Sequence, residues 1–266
     1  MSKHLKSLLL LLLPPFIING INWIRVRSGK LARAEVPQST TEPQYEHVGQ
    51  VKDESAKYWG LNNLDQKIEK YLNFESGFYV ELGANDGKRF SNTYYYETNR
   101  GWRGVLIEPA PNKYLECVKN RSSRNYMACA ACVSFGYKEE FVKMLYCDLM
   151  SVPVNLETDI DSATDHAERG RQFLGSNERV FIFGAAAATL NSILIDAQAP
   201  NVIDFLSLDV EGAEIEVLKG VDHSVFKFKY LLIECRDIAK LERYLAPLNY
   251  RIVEKFDEHD YLFSGT

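Results

Sequence analysis

Three short apolar runs, each followed by an acidic residue, recur along the chain and predict buried strands. Residues 78–80 lead into Glu81, residues 104–107 into Glu108, and residues 205–208 into Asp209. Continuous rather than alternating apolar runs are typical of strands that are covered on both faces of a parallel sheet. Segments with helical spacing separate these runs, and alternation of strands and helices indicates an α/β fold.

A glycine-containing turn follows the first run. The stretch Glu81-Leu82-Gly83-Ala84-Asn85-Asp86-Gly87 is interpreted as a strand end that opens into a turn, with a helix from about Ser91 onward. Glycine lets the backbone approach a ligand closely, and a nearby carboxylate accepts hydrogen bonds from amine or hydroxyl donors. The dinucleotide fingerprint would need a third glycine here. The turn therefore indicates a nucleoside-bearing cofactor only weakly when taken alone.

Glu108 provides a second indication of the same site. It lies 21 residues after Gly87, near the position at which a nucleotide-binding βαβ unit presents an acid to ribose hydroxyls. Pro109 lacks an N–H group and ends the strand. A solvated strand-end acid would explain Glu108 equally well by itself, but the glycine turn favours the ribose role.

Asp209 and Glu211 follow the third strand and are expected over the same crevice. Clustered carboxylates suit a general base, a cofactor contact or a divalent cation. Acids that favour a helix N-terminus are the alternative, which explains Glu214 well and Asp209 poorly. No histidine joins the pair in sequence, so no metal site is predicted.

Together these segments resemble the FkbM family of S-adenosylmethionine-dependent methyltransferases. The matching pieces are Val80 to Gly87, Leu106-Ile107-Glu108-Pro109, and Leu208 to Glu214 with Leu218-Lys219-Gly220. A further stretch, Ser91-Asn92-Thr93 with Glu97 and Gly101-Trp102, is similar to the subgroup that includes the animal protein Star. The resemblance implies a Rossmann-like class I methyltransferase fold, with a mostly parallel seven-stranded sheet and helices on both faces.

The resemblance also implies roles for individual residues. The cofactor S-adenosyl-L-methionine would be bound by Glu81, Gly83, Ala84, Asn85, Asp86, Gly87 and Glu108. Asp209 and Glu211 would border the reacting centre, with Asp209 as the candidate base. The implied reaction is O-methylation of a hydroxyl on a sugar, a glycan or a small metabolite. A catalytically silent, membrane-tethered protein that acts in interaction or trafficking is the alternative.

Composition narrows the classes of partner. The formal net charge is −5, and no concentrated basic stripe is present, which argues against nucleic acid as the main partner. Lys119, Arg121 and Arg124 form a local basic cluster, which we interpret as a solvated helix end.

The N-terminal region predicts a membrane attachment. Residues 5–18 are strongly apolar, and a span through residue 26 reaches the length that a bilayer requires. The predicted organisation is an anchor or signal segment at 1–30, a polar linker at 31–57 and a catalytic domain at 58–266. Basic residues after the apolar run favour a single-pass anchor with the domain in the cytosol, whereas the Star-like features favour a lumenal domain.

Residues 146–185 do not repeat the strand–helix pattern. They include Asp159, Asp165 and His166. Long irregular insertions in compact domains often form lids or acceptor-binding loops. A lid and an excursion without function are both compatible with this stretch.

Overall fold

The structure is a computed structural model, and it describes residues 57–265. The predicted anchor at 1–30 and nearly all of the predicted linker lie outside the described residues. Within those bounds, none of the helices combines the length and the apolar character that crossing a lipid bilayer would require.

Eleven strands form within the described residues. In chain order they are β1 (Phe78–Leu82), β2 (Arg103–Ile107), β3 (Tyr126–Ala128), β4 (Ala131–Cys132), β5 (Phe141–Tyr146), β6 (Val152–Pro153), β7 (Phe181–Ala188), β8 (Val202–Leu208), β9 (Lys227–Glu234), β10 (Tyr250–Lys255) and β11 (Asp260–Gly265). Seven of them form one sheet in the order β10-β11-β9-β8-β1-β2-β3. Strand β11 runs antiparallel to both neighbours, and the remaining pairs are parallel. The predicted Rossmann-like sheet is confirmed.

Seven α-helices accompany these strands in the part of the chain that the structure describes. They are α1 (Leu64–Lys67), α2 (Tyr94–Arg100), α3 (Pro111–Asn120), α4 (Ala163–Gly170), α5 (Leu190–Asp196), α6 (Glu214–Leu218) and α7 (Ile238–Leu245). The hydroxyls of Ser162 and Thr189 and the carboxylate of Asp237 cap the N-termini of α4, α5 and α7. Each side chain accepts a bond from a first-turn N–H that the helix itself leaves without a partner.

Two apolar cores cover the two faces of the large sheet. Val80 and Leu82 of β1 belong to one core, which α5, α6 and α7 complete, whereas Tyr79 belongs to the other core with α1, α2 and α3. Successive side chains of a strand point to opposite faces, so each strand supplies both cores. This explains why the strands read as unbroken apolar runs. Glu81 lies two residues after Tyr79 and shares its face of the sheet.

Residues 146–185, which do not repeat the strand–helix pattern, contain β6, α4 and the start of β7. Strands β4, β5, β6 and β7 form a second sheet in the order β4-β7-β5-β6, and α4 lies between β6 and β7. The apolar run over residues 126–133 does not form a single strand. It divides into β3 in the large sheet and β4 in the small one, so that the second sheet begins directly beside the first.

Candidate active site

A cavity of about 340 Å³ opens at the carboxyl ends of β1, β2, β8 and β9. This volume lies within the range of ligand-binding pockets, and the carboxyl edge is where open parallel sheets bind ligands. Of the residues predicted for the site, those that line the cavity are Glu81, Gly83, Ala84, Asn85, Glu108, Asp209 and Glu211. The structure thus brings together the ends of three runs that extend over more than a hundred residues of sequence.

Gly83 is the point at which the three strands meet. Its φ of +75° is in the left-handed region, and a Cβ atom there would lie 1.9 Å from the carbonyl oxygen of Asp209. The N–H groups of Gly83 and Ala84 both donate to the carbonyl of Ile107, at 3.1 Å each. Only glycine combines this conformation with so close an approach of two backbones.

Asp86 and Gly87 are in the turn but do not line the cavity. The Asp86 carboxylate accepts bonds from the backbone N–H groups of Lys88 and Arg89, at 2.8 and 2.7 Å. Gly87 has a φ of +78°, and a Cβ there would lie 2.7 Å from the Sγ atom of Cys117. These two residues shape the turn, and their predicted contact with a cofactor stays a prediction.

Glu81 is buried and its carboxylate is surrounded by donors from the protein. It accepts hydrogen bonds from the Ser91 hydroxyl at 2.9 Å, the Asn92 N–H at 3.0 Å and the Thr93 hydroxyl at 2.6 Å. The Arg121 guanidinium lies 3.3 Å away. Glu81 therefore holds the segment before α2 against the glycine turn.

The interpretation of Arg121 as part of a solvated helix end was wrong. Its side chain is fully buried, and Nε donates to Glu97 Oε2 at 2.7 Å. The guanidinium also donates to the carbonyl of Gly87 at 2.8 Å and to the Thr93 hydroxyl at 2.8 Å. A short basic cluster in sequence cannot reveal this, because Glu81 and Glu97 meet Arg121 only after the sheet and helices have packed.

Glu108 is buried at the end of β2 and faces the cavity. Its two carboxylate oxygens accept one bond each, from the N–H groups of Asn85 and Ala110, both at 2.8 Å. Burial raises the pKa of Glu108 to about 7, although these two bonds act in the opposite direction. Glu108 fixes the turn and still presents lone pairs toward the cavity.

Asp148 connects the second sheet to the glycine turn, and sequence reasoning missed it. Its carboxylate accepts a bond from the Asn85 side-chain amide at 3.0 Å and lies 3.0 Å from the Lys113 ammonium. Its φ is +51°, which is uncommon for a residue with a side chain. The turn is therefore held from the insertion as well as from α3.

Asp209 faces the cavity and is accessible from it, while protein atoms surround the site. Desolvation raises its pKa well above the ordinary value, and the nearby carboxylates Glu234 and Glu211 raise it further. Glu214, by contrast, accepts bonds from the N–H groups of Val210 and Gly212 and organises the backbone behind the site. This agrees with the helix-terminal role expected for Glu214.

Glu211 lies at the cavity wall with a φ of +55°. Its Oε2 is 2.8 Å from Nε2 of the buried His166 and 3.2 Å from the Arg236 guanidinium. Arg236 also reaches Oε1 of Glu234 at 2.9 Å. His166, Glu234, Arg236 and Asp260 were not predicted for the site. A run of apolar residues ending in Glu234 was the one signal that could have indicated a fourth strand-end acid.

One family of known proteins matches most of the chain. The model of the methyltransferase FkbM domain matches residues 81–263. A search for similar curated proteins finds no match. A ribosomal protein L11 methylase from Lactobacillus delbrueckii subsp. bulgaricus is 10% identical, with a TM-score of 0.36 and 76% of each chain covered. A proposed RNA methyltransferase from Pyrococcus horikoshii is also 10% identical, with a TM-score of 0.36 and coverage of 76% of this chain and 80% of that one. Since the family model covers most of the strands and all of the predicted site, the chain belongs to the FkbM methyltransferase family.

Proposed function

We propose that this protein is an S-adenosylmethionine-dependent methyltransferase that methylates a hydroxyl of a sugar, a glycan or a small metabolite. One observation carries the proposal. The glycine turn, Glu108 and Asp209 all border a single cavity at the carboxyl edge of the sheet.

The residues present fit S-adenosylmethionine. The cofactor offers ribose hydroxyls and an amino group as donors, and the cavity offers the carboxylate of Glu108 and the close backbone of Gly83 to Asn85. When bound, the cofactor supplies a methyl group on a sulfonium. The neutral thioether that remains after methyl transfer is a good leaving group. Glu108 would accept bonds from the ribose hydroxyls, while the turn orients the rest of the molecule.

Asp209 is the proposed base for the acceptor hydroxyl. It lies at the end of β8, and its backbone is next to Gly83. A carboxylate at this position can accept the hydroxyl proton while the acceptor oxygen is held in line with the methyl group. Glu211 would border the same region, held there by its contacts with His166 and Arg236.

We further propose that residues 1–30 tether the domain to a membrane, with the domain on the cytosolic side. The apolar run and the basic residues that follow it support this placement. Protease treatment of intact vesicles tests it: a domain that is digested without detergent is expected, and a protected domain would contradict the cytosolic placement.

Cofactor binding is the first test of the enzymatic proposal. Calorimetric titration of the full chain with S-adenosylhomocysteine should show one site, with a dissociation constant of about 1 mM or tighter. Glu108→Gln should weaken binding by about 10- to 100-fold, because hydrogen bonds to a charged acceptor contribute about 1.5–3 kcal/mol. Glu116→Gln, on the outer part of α3, is the matched control and should leave the affinity unchanged. Absence of binding would favour the silent interaction protein instead.

Methyl transfer is the second test. Incubation with methyl-labelled S-adenosylmethionine and a panel of sugars and glycans should label an acceptor oxygen. Asp209→Asn should lower kcat by about 100-fold or more while the affinity for S-adenosylhomocysteine changes little. Label that is recovered on nitrogen would contradict the proposed acceptor class.

A further inference from the structure

Three carboxylates from two neighbouring strand ends converge on the acceptor side of the cavity. Asp209 and Glu211 follow β8, and Glu234 ends β9. One oxygen of each lies within 4.8 Å of the other two. Oxygen ligands about 2.1 Å from a shared Mg²⁺ are about 3–4 Å apart, so this spacing is close to that of a coordination shell.

A buried histidine lies against this cluster. His166 is 1% exposed, and its Nε2 is 2.8 Å from Glu211 Oε2. Neither ring nitrogen makes a hydrogen bond of acceptable geometry to any residue in the range 57–265. Buried polar atoms are nearly always satisfied by protein, water or an ion, so an unsatisfied imidazole beside these carboxylates indicates that the cluster as a whole lacks a partner. It comes from α4, far from the cluster in sequence.

Within residues 57–265, the guanidinium of Arg236 is the arginine or lysine group that forms ion pairs with the cluster. Arg236 contacts one oxygen of Glu211 and one oxygen of Glu234, at 3.2 and 2.9 Å. One guanidinium thus faces three carboxylates, and Asp260 adds a fourth acid to the same cavity wall. Like charges this close repel strongly unless a proton or a cation intervenes. The Arg236 contacts engage one oxygen of each glutamate, so ligation through the second oxygen is compatible with them.

We propose that Asp209, Glu211 and Glu234 bind a divalent cation, Mg²⁺ or Mn²⁺, and that His166 positions Glu211 for it. Oxygen-rich sites of this kind suit these two ions. The inference rests on the proposed function, because the cation would bind oxygens of the methyl acceptor. The bound cation would select acceptors with two neighbouring oxygens, such as a vicinal diol, because both oxygens can chelate the ion.

The cation also aids loss of the hydroxyl proton. A hydroxyl that binds a divalent cation has a lowered pKa. Asp209 would ligate the ion through one oxygen, and its other oxygen can accept the proton as the acceptor oxygen takes the methyl group. Ligand and base roles of Asp209 are therefore compatible.

The site is tested by titrating the full, chelator-treated chain with Mn²⁺. Electron paramagnetic resonance monitors the binding. One Mn²⁺ per chain should bind with a dissociation constant of about 1 mM or tighter, and Mg²⁺ should compete for it. Asp209→Asn and Glu234→Gln should each weaken binding by about 30-fold or more. Asp260→Asn removes the same charge from the same wall but outside the ligand set, and should change the affinity by less than about 3-fold. Thermal melting of each variant verifies that it is folded.

His166→Asn isolates the positioning role. Orienting partners of metal ligands typically affect affinity by about 10- to 100-fold, and we expect about 10-fold weaker Mn²⁺ binding with an altered resonance spectrum. A merely structural histidine would change the melting temperature and leave the spectrum unchanged. That result would overturn its assigned role.

The outcomes separate this inference from the enzymatic proposal. No saturable Mn²⁺ binding, or equal binding by the parent chain and Asp209→Asn, overturns the cation site even if S-adenosylhomocysteine still binds. Mn²⁺ binding that depends on Asp209 and Glu234 supports the site. Loss of S-adenosylhomocysteine binding in the parent chain would instead count against the methyltransferase proposal.

Discussion

Both ends of the cavity contain carboxylates, but the groups that surround the carboxylates differ between the two ends. At the proposed cofactor end, Glu81 and Glu108 are buried and each accepts two or more hydrogen bonds from groups of the protein. At the proposed acceptor end, Asp209, Glu211 and Glu234 lie close together, and the Arg236 guanidinium contacts the two glutamates. The first set is neutralised or satisfied within the fold, whereas the second set retains excess negative charge.

The first set of carboxylates fixes the shape of the site, whereas the second set can bind a ligand. A carboxylate whose donors come from the protein fixes the backbone around it, as Glu81 does for the segment before α2. Asp209 and Glu234 are close to other carboxylates, and desolvation together with these like charges raises the pKa of both groups, which favours uptake of a proton, a cation or a ligand. The proposed cofactor end therefore has a preorganised backbone, and the proposed acceptor end is suited to binding a proton or a cation.

The largest expected effect comes from removing the cation of the preorganised end. Arg121→Met should lower the free energy of unfolding by about 3–5 kcal/mol, because it leaves Glu81 and Glu97 as buried charges without their partner. Urea denaturation measures this loss. Arg124→Met, at an exposed position three residues later, should change stability by no more than about 0.5 kcal/mol. Equal effects of the two substitutions would mean that the cofactor end is not held by Arg121.

The next effect tests the point at which the two ends meet. Gly83→Ala should lower the free energy of unfolding by about 2–4 kcal/mol. The left-handed conformation is unfavourable for alanine, and its Cβ would overlap the Asp209 carbonyl. Gly101→Ala has a similar φ of +64° but no atom within 4 Å of the added Cβ. That control should cost only about 1 kcal/mol in the same urea denaturation. A small effect at Gly83 would show that β1 and β8 can separate without penalty.

Asp148 offers a smaller test of how the second sheet supports the turn. Asp148→Asn should lower stability by about 1–3 kcal/mol, since Lys113 loses the charge that it contacts while buried. It should also weaken binding of S-adenosylhomocysteine, because Asn85 loses its charged acceptor. Asp161→Asn, an exposed acid of the same insertion, should leave both the denaturation midpoint and the calorimetric affinity unchanged. If both variants behave alike, the insertion does not support the turn.

The smallest effect is a pH dependence of cofactor binding. The pKa of Glu108 is raised to about 7, so the carboxyl is largely protonated below that pH and accepts ribose hydrogen bonds less well. Affinity for S-adenosylhomocysteine should rise from about pH 6 to pH 7 and level off by about pH 8, by up to about tenfold. Calorimetry at these pH values, with Glu108→Gln as the comparison, isolates the contribution of Glu108. An unchanged pH profile in the variant would contradict it.

The same group has an opposite consequence for stability. A carboxyl whose pKa is higher in the folded state binds more protons when folded, so its contribution to the unfolding free energy falls as pH rises from about 4.5 to about 7. Binding and stability should therefore respond to pH in opposite directions over this range. Glu108→Gln should reduce both responses.

Much of the fold could be predicted from local patterns. Mostly apolar runs over β1, β2 and β8 indicated strands covered on both faces, and the alternation of these strands with helices indicated a parallel sheet. The glycine turn and the strand-end acids Glu108 and Asp209 could then be assigned to one edge, because parallel strands bring their carboxyl ends together. The hairpin of β10 and β11 could likewise be predicted, because two strand-like runs flank the polar turn at residues 257–260.

The remaining features depend on contacts between distant parts of the chain. The run over residues 126–133 looks continuous, but only packing decides that β3 and β4 join different sheets. Arg121 reads as a surface residue until Glu81 and Glu97 meet it.

Sequence alone determined which segments are strands, where the turn lies and which acids end the strands, because these follow from side-chain periodicity and from the backbone freedom of glycine. Tertiary structure alone decided which charges are neighbours. His166 reaches Glu211 from 45 residues away, and Arg236 joins Glu211 to Glu234 across two strands. Electrostatic interactions depend on distance in space and on burial, and neither can be read directly from the order of residues along the chain.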